Sequence, residues 1–286
     1  MGFLALFALL CQDAPDWQKA AGGKMAFEVA SIKPGSPEKF MSPNFPLDAG
    51  DAYAETGGRF SAGFPLSVYI TFAYKLTLTR EQREAMIAAL PKWVGTDQFQ
   101  IQAKAEGNPT KDQMRLMMQS LLADRFKLAI HFETREVPLL ALTMIKPGKL
   151  GPKLKLHSEG PSCDSIPPSD VFPPRCDVFA LMVRQGKQSF AGSRNTTMAL
   201  IAGGLPSLGR LARPVVDQTG LSGRVDFTLE WSPELPGPQG PNEPQVDLQG
   251  PSFMEALKEQ LGLKLEPTKG PIQVLVVDHV EKPTEN

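Results

Sequence analysis

Two stretches of the chain carry nearly the same pattern of apolar and polar positions. "FKLAIHFETREVPLLALTMI" (126–145) and "LGLKLEPTKGPIQVLVVDHV" (261–280) each read as an apolar alternating run, a charged segment containing proline, and a second apolar run. Alternation with period two marks half-buried strands. Each stretch therefore predicts a hairpin, the first with Leu128, Ile130 and Phe132 on one strand, Val137, Leu139 and Ala141 on the other, and the turn at "ETREVP". The match is ungapped: Leu122 and Leu257, Phe126 and Leu261, Leu128 and Leu263, Ile130 and Leu265, Val137 and Ile272, Leu139 and Val274, and Ala141 and Val276 all stand 135 positions apart.

The elements upstream follow the same order in both halves. In the first, "MAFEVASIK" alternates Phe27, Val29 and Ile32 as a strand, residues 35–58 form a long loop, and "GRFSAG" is a second short strand. A helix over 65–75 puts Leu66, Tyr69, Ile70 and Ala73 on one face, with Pro65 in its first turn, where a missing N–H costs nothing. "LTREQREAMIAAL" is a helix capped by Thr79 and ended before Pro91; Phe99, Ile101 and Ala103 alternate as a strand. "NPTKDQMRLMMQSLLADRF" is a helix capped by Thr110, with Met114, Met117, Leu121 and Leu122 as its buried stripe. Methionines fill gaps in cores, so packing explains them better than a cofactor box does. In the second half Phe190 and Phe227 answer Phe60 and Phe99, and the Pro-rich "SPELPGPQGPNEPQVDLQGPS" absorbs the change of spacing. The counterpart of the first helix, "NTTMALIAGGLPSLGRLA", is interrupted by Gly203, Gly204 and Pro206 and predicts two short pieces.

The fold class that follows is α+β: two similar units, an internal duplication, each a small mainly antiparallel sheet packed with helices. The units span 25–157 and 187–286 and are joined by a Pro-rich linker over 158–186. Composition then narrows the function. With 30 basic and 31 acidic residues and no basic stripe, nucleic acid is a poor partner. Residues 1–15 contain an apolar stretch from Phe3 to Leu10, too short to span a bilayer, which reads as an export signal lacking the usual basic start. An apolar first strand or helix is the alternative, and a lipid anchor at Cys11 is disfavoured by Leu10 before it. In an exported chain Cys163 and Cys176, inside "PSCDSIPPSDVFPPRCDVF", pair most simply as a disulfide, whose short loop contributes about 3 kcal/mol. Zinc would need further ligands, and only His157 is near in sequence.

The three histidines are His131 on a strand, His157 before the linker and His279 at the last strand's end. Adjacent strand residues face opposite ways, so Asp278 and His279 form no dyad with each other. There is no "GxSxG", "HExxH" or "GxxxxGK". Asp217, Thr219 and Arg224 in "VVDQTGLSGRVDF" offer polar groups between two strands, with a turn eased by Gly220 and Gly223 as the simpler account. Trp93 and Trp231 are either surface anchors for a partner or glycan, or half-buried packing residues.

Taken together, "AFEVASIKP", "GGRF", "LPKWVGTDQFQIQAKAEG", "LLADRFKLAIHFETREVP", "RPVVDQTGLSGRVDFTLEWSPE" and "LGLKLEPTKGPIQVLVVDHVEKPTEN" resemble the uncharacterised "soil-associated" family abundant in acidobacterial genomes. The resemblance implies an exported protein of unknown function, whose domain also occurs behind zinc membrane peptidases of the antirepressor sensor type, and it offers no catalytic residues to carry over. "ALKEQLGLKLEPTKGPIQVLVVD" is more loosely similar to the periplasmic N-terminal modules of secretins and TonB-dependent receptors. The expectation is a secreted or periplasmic, non-enzymatic interaction or sensory module with no cofactor and an envelope protein or peptide as partner. The alternatives are an exported hydrolase with a scattered site and a glycan- or peptidoglycan-binding protein.

Overall fold

The computed structural model describes residues 15–36, 40–51, 53–163, 167–183, 188–232 and 250–283. The apolar leader with Cys11, and most of the Pro-rich insertion after Trp231, lie outside the described residues. The chain is α+β, with three small sheets packed against helices.

After a short helix α1 (Asp16–Ala20), the first sheet is built from β1 (Val29–Pro34), β2 (Arg59–Pro65) and β3 (Gln98–Lys104), all antiparallel in the order β1-β3-β2. Helix α2 (Leu66–Ala73) buries Leu66, Tyr69, Ile70 and Ala73 as their spacing required, with Pro65 standing at the N-cap, one position before the expected first turn. Thr79 and Thr110 each complete a capping box, opening α3 (Arg80–Ala88) and α5 (Lys111–Arg125), with the single turn α4 (Trp93–Thr96) between them. The stripe Met114, Met117, Leu121 and Leu122 is buried as expected.

The predicted hairpins do not form. Ala129–Met144 is one 16-residue strand, β4, and Leu263–His279 is one 17-residue strand, β10. They pair antiparallel with each other along nearly their whole length. The ladder places Glu136 opposite Pro271, two positions that are themselves 135 apart, so the pairing is symmetric about the spacing seen in the sequence. A through-going strand and a hairpin share the same period of two, and periodicity could not choose between them. The choice is made by the second copy: each strand finds its hydrogen-bonding partner there, and "ETREVP" and "EPTKGP" become the crossing point of a ribbon.

This ribbon joins two cores. Leu128 just before β4 and Ile130 and Phe132 in its first half, with Leu275 and Val277 from the far end of β10, pack into the first core around Phe60, Tyr69 and Met118. Leu140, Leu142 and Met144, with Leu263 and Leu265, pack into the second. Even positions of β4 serve both cores, which is what one unbroken strand requires. Leu139 and Ala141, the positions assigned to a returning strand, are buried on the opposite face.

The second core lies under the sheet β5-β9-β7-β6, made of β5 (Leu154–Leu156), β6 (Phe179–Val183), β7 (Ser189–Thr196) and β9 (Val225–Trp231). Helix α6 (Met198–Leu208) is a single helix and not two pieces. Thr197 caps it through Leu200 N–H, Pro206 falls in its last turn, and its glycines admit neighbours: a Cβ on Gly203 would lie 3.0 Å from Thr77, and one on Gly204 would lie 3.2 Å from the Phe179 ring. Tertiary close approach thus offsets the poor helix propensity. Strand β8 (Val215–Asp217) adds to β4 in parallel, and α7 (Phe253–Ala256) runs on through a π turn (Leu257–Leu261) into β10.

Candidate functional site

The fold separates the three histidines. His131 on β4 is exposed; its Nδ1 lies 2.8 Å from Asp278 and its Nε2 3.3 Å from Glu133, and the Asp278 hydrogen bond leads the two in raising its pKa above the ordinary value. His279 is exposed and lies 2.8 Å from Glu281. Asp278 therefore pairs across the ribbon with His131 and not with its sequence neighbour.

His157 is different. It follows β5, and its backbone N–H donates to Arg224 O at 2.9 Å. Its Nδ1 meets Asp226 Oδ1 at 2.7 Å, and its Nε2 lies 3.3 Å from Cys163 Sγ. Asp226 is only 5% exposed, on the central strand β9; Oδ1 also accepts from Asn195 N–H at 2.8 Å, while the buried Oδ2 has no hydrogen-bond partner among the described residues. Gly160 makes room for that carboxylate, since a Cβ there would sit 2.6 Å from Oδ2. Cys163 is bonded to Cys176, as the spacing anticipated. His157 Nε2 and the two sulfurs lie within 4.8 Å of one another, but sulfurs bonded to each other are not thiolates and supply no metal ligand. The buried Arg194 fixes the backbone on both sides of the bridge, donating to Pro161 O at 2.6 Å, Ser162 O at 3.4 Å and Pro174 O at 3.2 Å.

From Asp226 a polar seam runs to the first core. Asn195, held at φ 56°, donates from Nδ2 to Asp177 at 2.9 Å and accepts from Arg224 at 2.6 Å. Burial pushes the Asp177 carboxyl up, with Arg224 acting against it. Arg224 reaches Asp51 at 3.1 Å; Asp51 pairs with Lys75, Lys75 with Asp112, and Asp112 with the fully buried Arg115. Arg115 also donates to Asp48 O at 2.7 Å and Gly50 O at 2.9 Å, and Lys111, 4% exposed, meets the Asp48 carboxylate at 2.6 Å. Burial lowers the pKa of both cations, with those carboxylates opposing it. Asp51, Asp177, Arg224, Thr77 and Gly203 line a cleft of about 180 Å³ where the two halves meet.

The residues singled out from sequence land unevenly. Arg224 lies in the seam. Asp217 accepts from Thr219 N–H at 2.9 Å and from its hydroxyl at 2.7 Å, a turn-stabilising pattern, and Gly220 and Gly223 both take positive φ. Trp231 is 4% exposed, edge-on to Phe253 in the second core, and so offers no ring to a glycan; the surface-anchor reading is corrected there because the strand points it inward. Trp93 is half-buried beside Phe99, with the Lys282 ammonium 5.8 Å from its ring. Asp226, Arg194 and Asn195 were missed, being polar residues inside an apolar strand pattern with no motif around them. The polar dipeptide Arg194-Asn195 interrupting the β7 run, and Asp226 interrupting "VDFTLEW", were the only available signals.

Fold and site together define a two-core α+β protein with a disulfide and a buried carboxylate–imidazole pair at one end of an inter-core polar seam. Residues 67–280 match the family described as "Protein of unknown function (DUF3738)", and the chain belongs to that family. No curated protein and no solved structure matches it.

Proposed function

We propose that the protein is an exported interaction or sensory module that engages an extended peptide of an envelope protein by adding it as a strand to β10. The supporting observation is the outer edge of that strand. β10 lies at the end of the sheet β10-β4-β8, and beyond Leu263 no described strand pairs with its outer side. The ladder's phase says which groups face outward. Leu140 N–H donates to Pro214 O on the β8 side, so Leu140 and its partner Pro267 form a pair that is not hydrogen-bonded across the ribbon. Odd-numbered residues of β10 therefore aim their backbone groups outward. Pro267 and Pro271 fall in this set and protect the middle of the edge, while beyond them the exposed Gln273 and the half-buried Val277 turn backbone N–H groups to a side where no described strand pairs. Edge strands of this kind recruit peptides by main-chain bonding. The disulfide fits an oxidising compartment, and no helix among the described residues is long and apolar enough to cross a membrane.

The test is crosslinking and copurification from an envelope fraction with wild type and Gln273→Pro, which removes an outward N–H and no ladder bond. A specific partner lost in Gln273→Pro supports the reading. A partner retained unchanged, or no partner together with turnover of an ester or peptide, overturns it.

A further inference from the structure

We infer that Cys163–Cys176 is a reactive disulfide that exchanges with thiols, with Cys163 as the leaving thiolate stabilised by His157 and Asp226. This stands whether or not β10 takes a partner. Three observations carry it. First, the imidazole is committed: its Nδ1 is held 2.7 Å from a carboxylate that is 5% exposed, which fixes the ring and directs Nε2 at Cys163 Sγ, 3.3 Å away. Second, a disulfide sulfur is a poor partner for that nitrogen, whereas a thiolate is a strong one once the nitrogen has taken up a proton; the site is complementary to the opened bridge more than to the closed one. Third, Cys163 is exposed and Cys176 half-buried, and the cationic Arg194 guanidinium bonds to the carbonyls of Pro161, Ser162 and Pro174 beside them, a setting that favours a thiolate.

The chemistry balances with a thiol as co-reactant. A thiol RSH gives its proton to His157 Nε2 as its sulfur attacks Cys176 Sγ; the S–S bond breaks, an RS–Cys176 bond forms, and the electron pair leaves on Cys163 Sγ opposite the imidazolium so formed. A second RSH displaces Cys176 and releases RSSR. Two thiols are oxidised to RSSR, the cysteine pair is reduced, and of their two protons one rests on His157 facing the Cys163 thiolate and the other on Cys176. A lower leaving-group pKa speeds the first step. Because Asp226 Oδ1 also accepts from Asn195 N–H, opening the bridge alters the charge at one end of the seam that leads to Arg224 and the cleft.

The test uses the full chain with reduced glutathione as probe, in the presence of a chelator. Bridge opening is followed by alkylation and mass spectrometry in wild type, His157→Gln and Asp226→Asn, with circular dichroism to check folding. The expected result is about tenfold slower opening in His157→Gln, a poise shifted toward the disulfide, and glutathione found on Cys176. Equal rates in folded His157→Gln and wild type, or glutathione found on Cys163, overturns the inference. If Asp226→Asn fails to fold, His157→Gln alone decides.

Discussion

Arg115 shows how a buried charge is held in this protein. It occupies a helix position among Met114, Leu116 and Met118, yet its fully buried guanidinium is met by Asp112 and by two carbonyls of the 48–50 loop and lies 5.5 Å from the Phe72 ring. Arg115→Met removes the donor to both carbonyls and the loop's anchor, and should cost about 3 kcal/mol in urea unfolding; a loss below about 0.5 kcal/mol would mean the loop holds by itself. His131 tests the exposed extreme. Its pKa is raised, chiefly by the hydrogen bond to Asp278. The small stabilisation it gives is complete below the unfolded value and fades as pH rises through the higher folded one. NMR titration should place its midpoint above 6.5 and lower it in Asp278→Asn; an unchanged midpoint in the variant would assign the shift elsewhere.

Among elements, the ribbon is the most informative. Its phase makes an unusual pair of predictions: Gln273→Pro, whose N–H faces outward, should be tolerated, while Val274→Pro, one residue on, loses an N–H that bonds to β4 and should cost about 1–3 kcal/mol. Thermal melts of the two variants decide it, and equal destabilisation would refute the phase. The close approach at the end of the ribbon is a second case. A Cβ on Gly151 would sit 2.4 Å from the Leu261 backbone carbon, so Gly151→Ala must displace main chain and should lower the melting temperature clearly. The elements themselves were largely legible, because caps at Thr79 and Thr110 and the stripes of α2 and α5 are local signals. The continuity of β4, β10 and α6 was not, because it depends on what packs against them.

At the scale of the molecule, each core is completed by a strand end that belongs mainly to the other half of the chain. Leu275 and Val277 reach the first core, and Leu140 and Leu142 the second. Leu154–Leu156, which precedes the Pro-rich linker, also pairs with β9 of the second sheet. We therefore expect one cooperative unfolding transition with coincident far- and near-UV signals, and residues 25–157 expressed alone should remain unfolded. A dispersed NMR spectrum from that fragment would show that the halves are independent.

By itself the sequence determined the α+β class, the two-fold recurrence at a spacing of 135, the capped helices and the cysteine pair, because these depend on periodicity, local capping and composition. Only the tertiary structure decided that the recurrent strands pair with each other, that in an unpatterned loop Asp48 neutralises the buried Lys111 and Asp51 bridges Lys75 and Arg224, and that Asp226 and His157 meet beside Cys163. Those outcomes rest on contacts between distant residues, where any of several carboxylates or strands could have served, and the choice is made by what the folded backbone brings within reach.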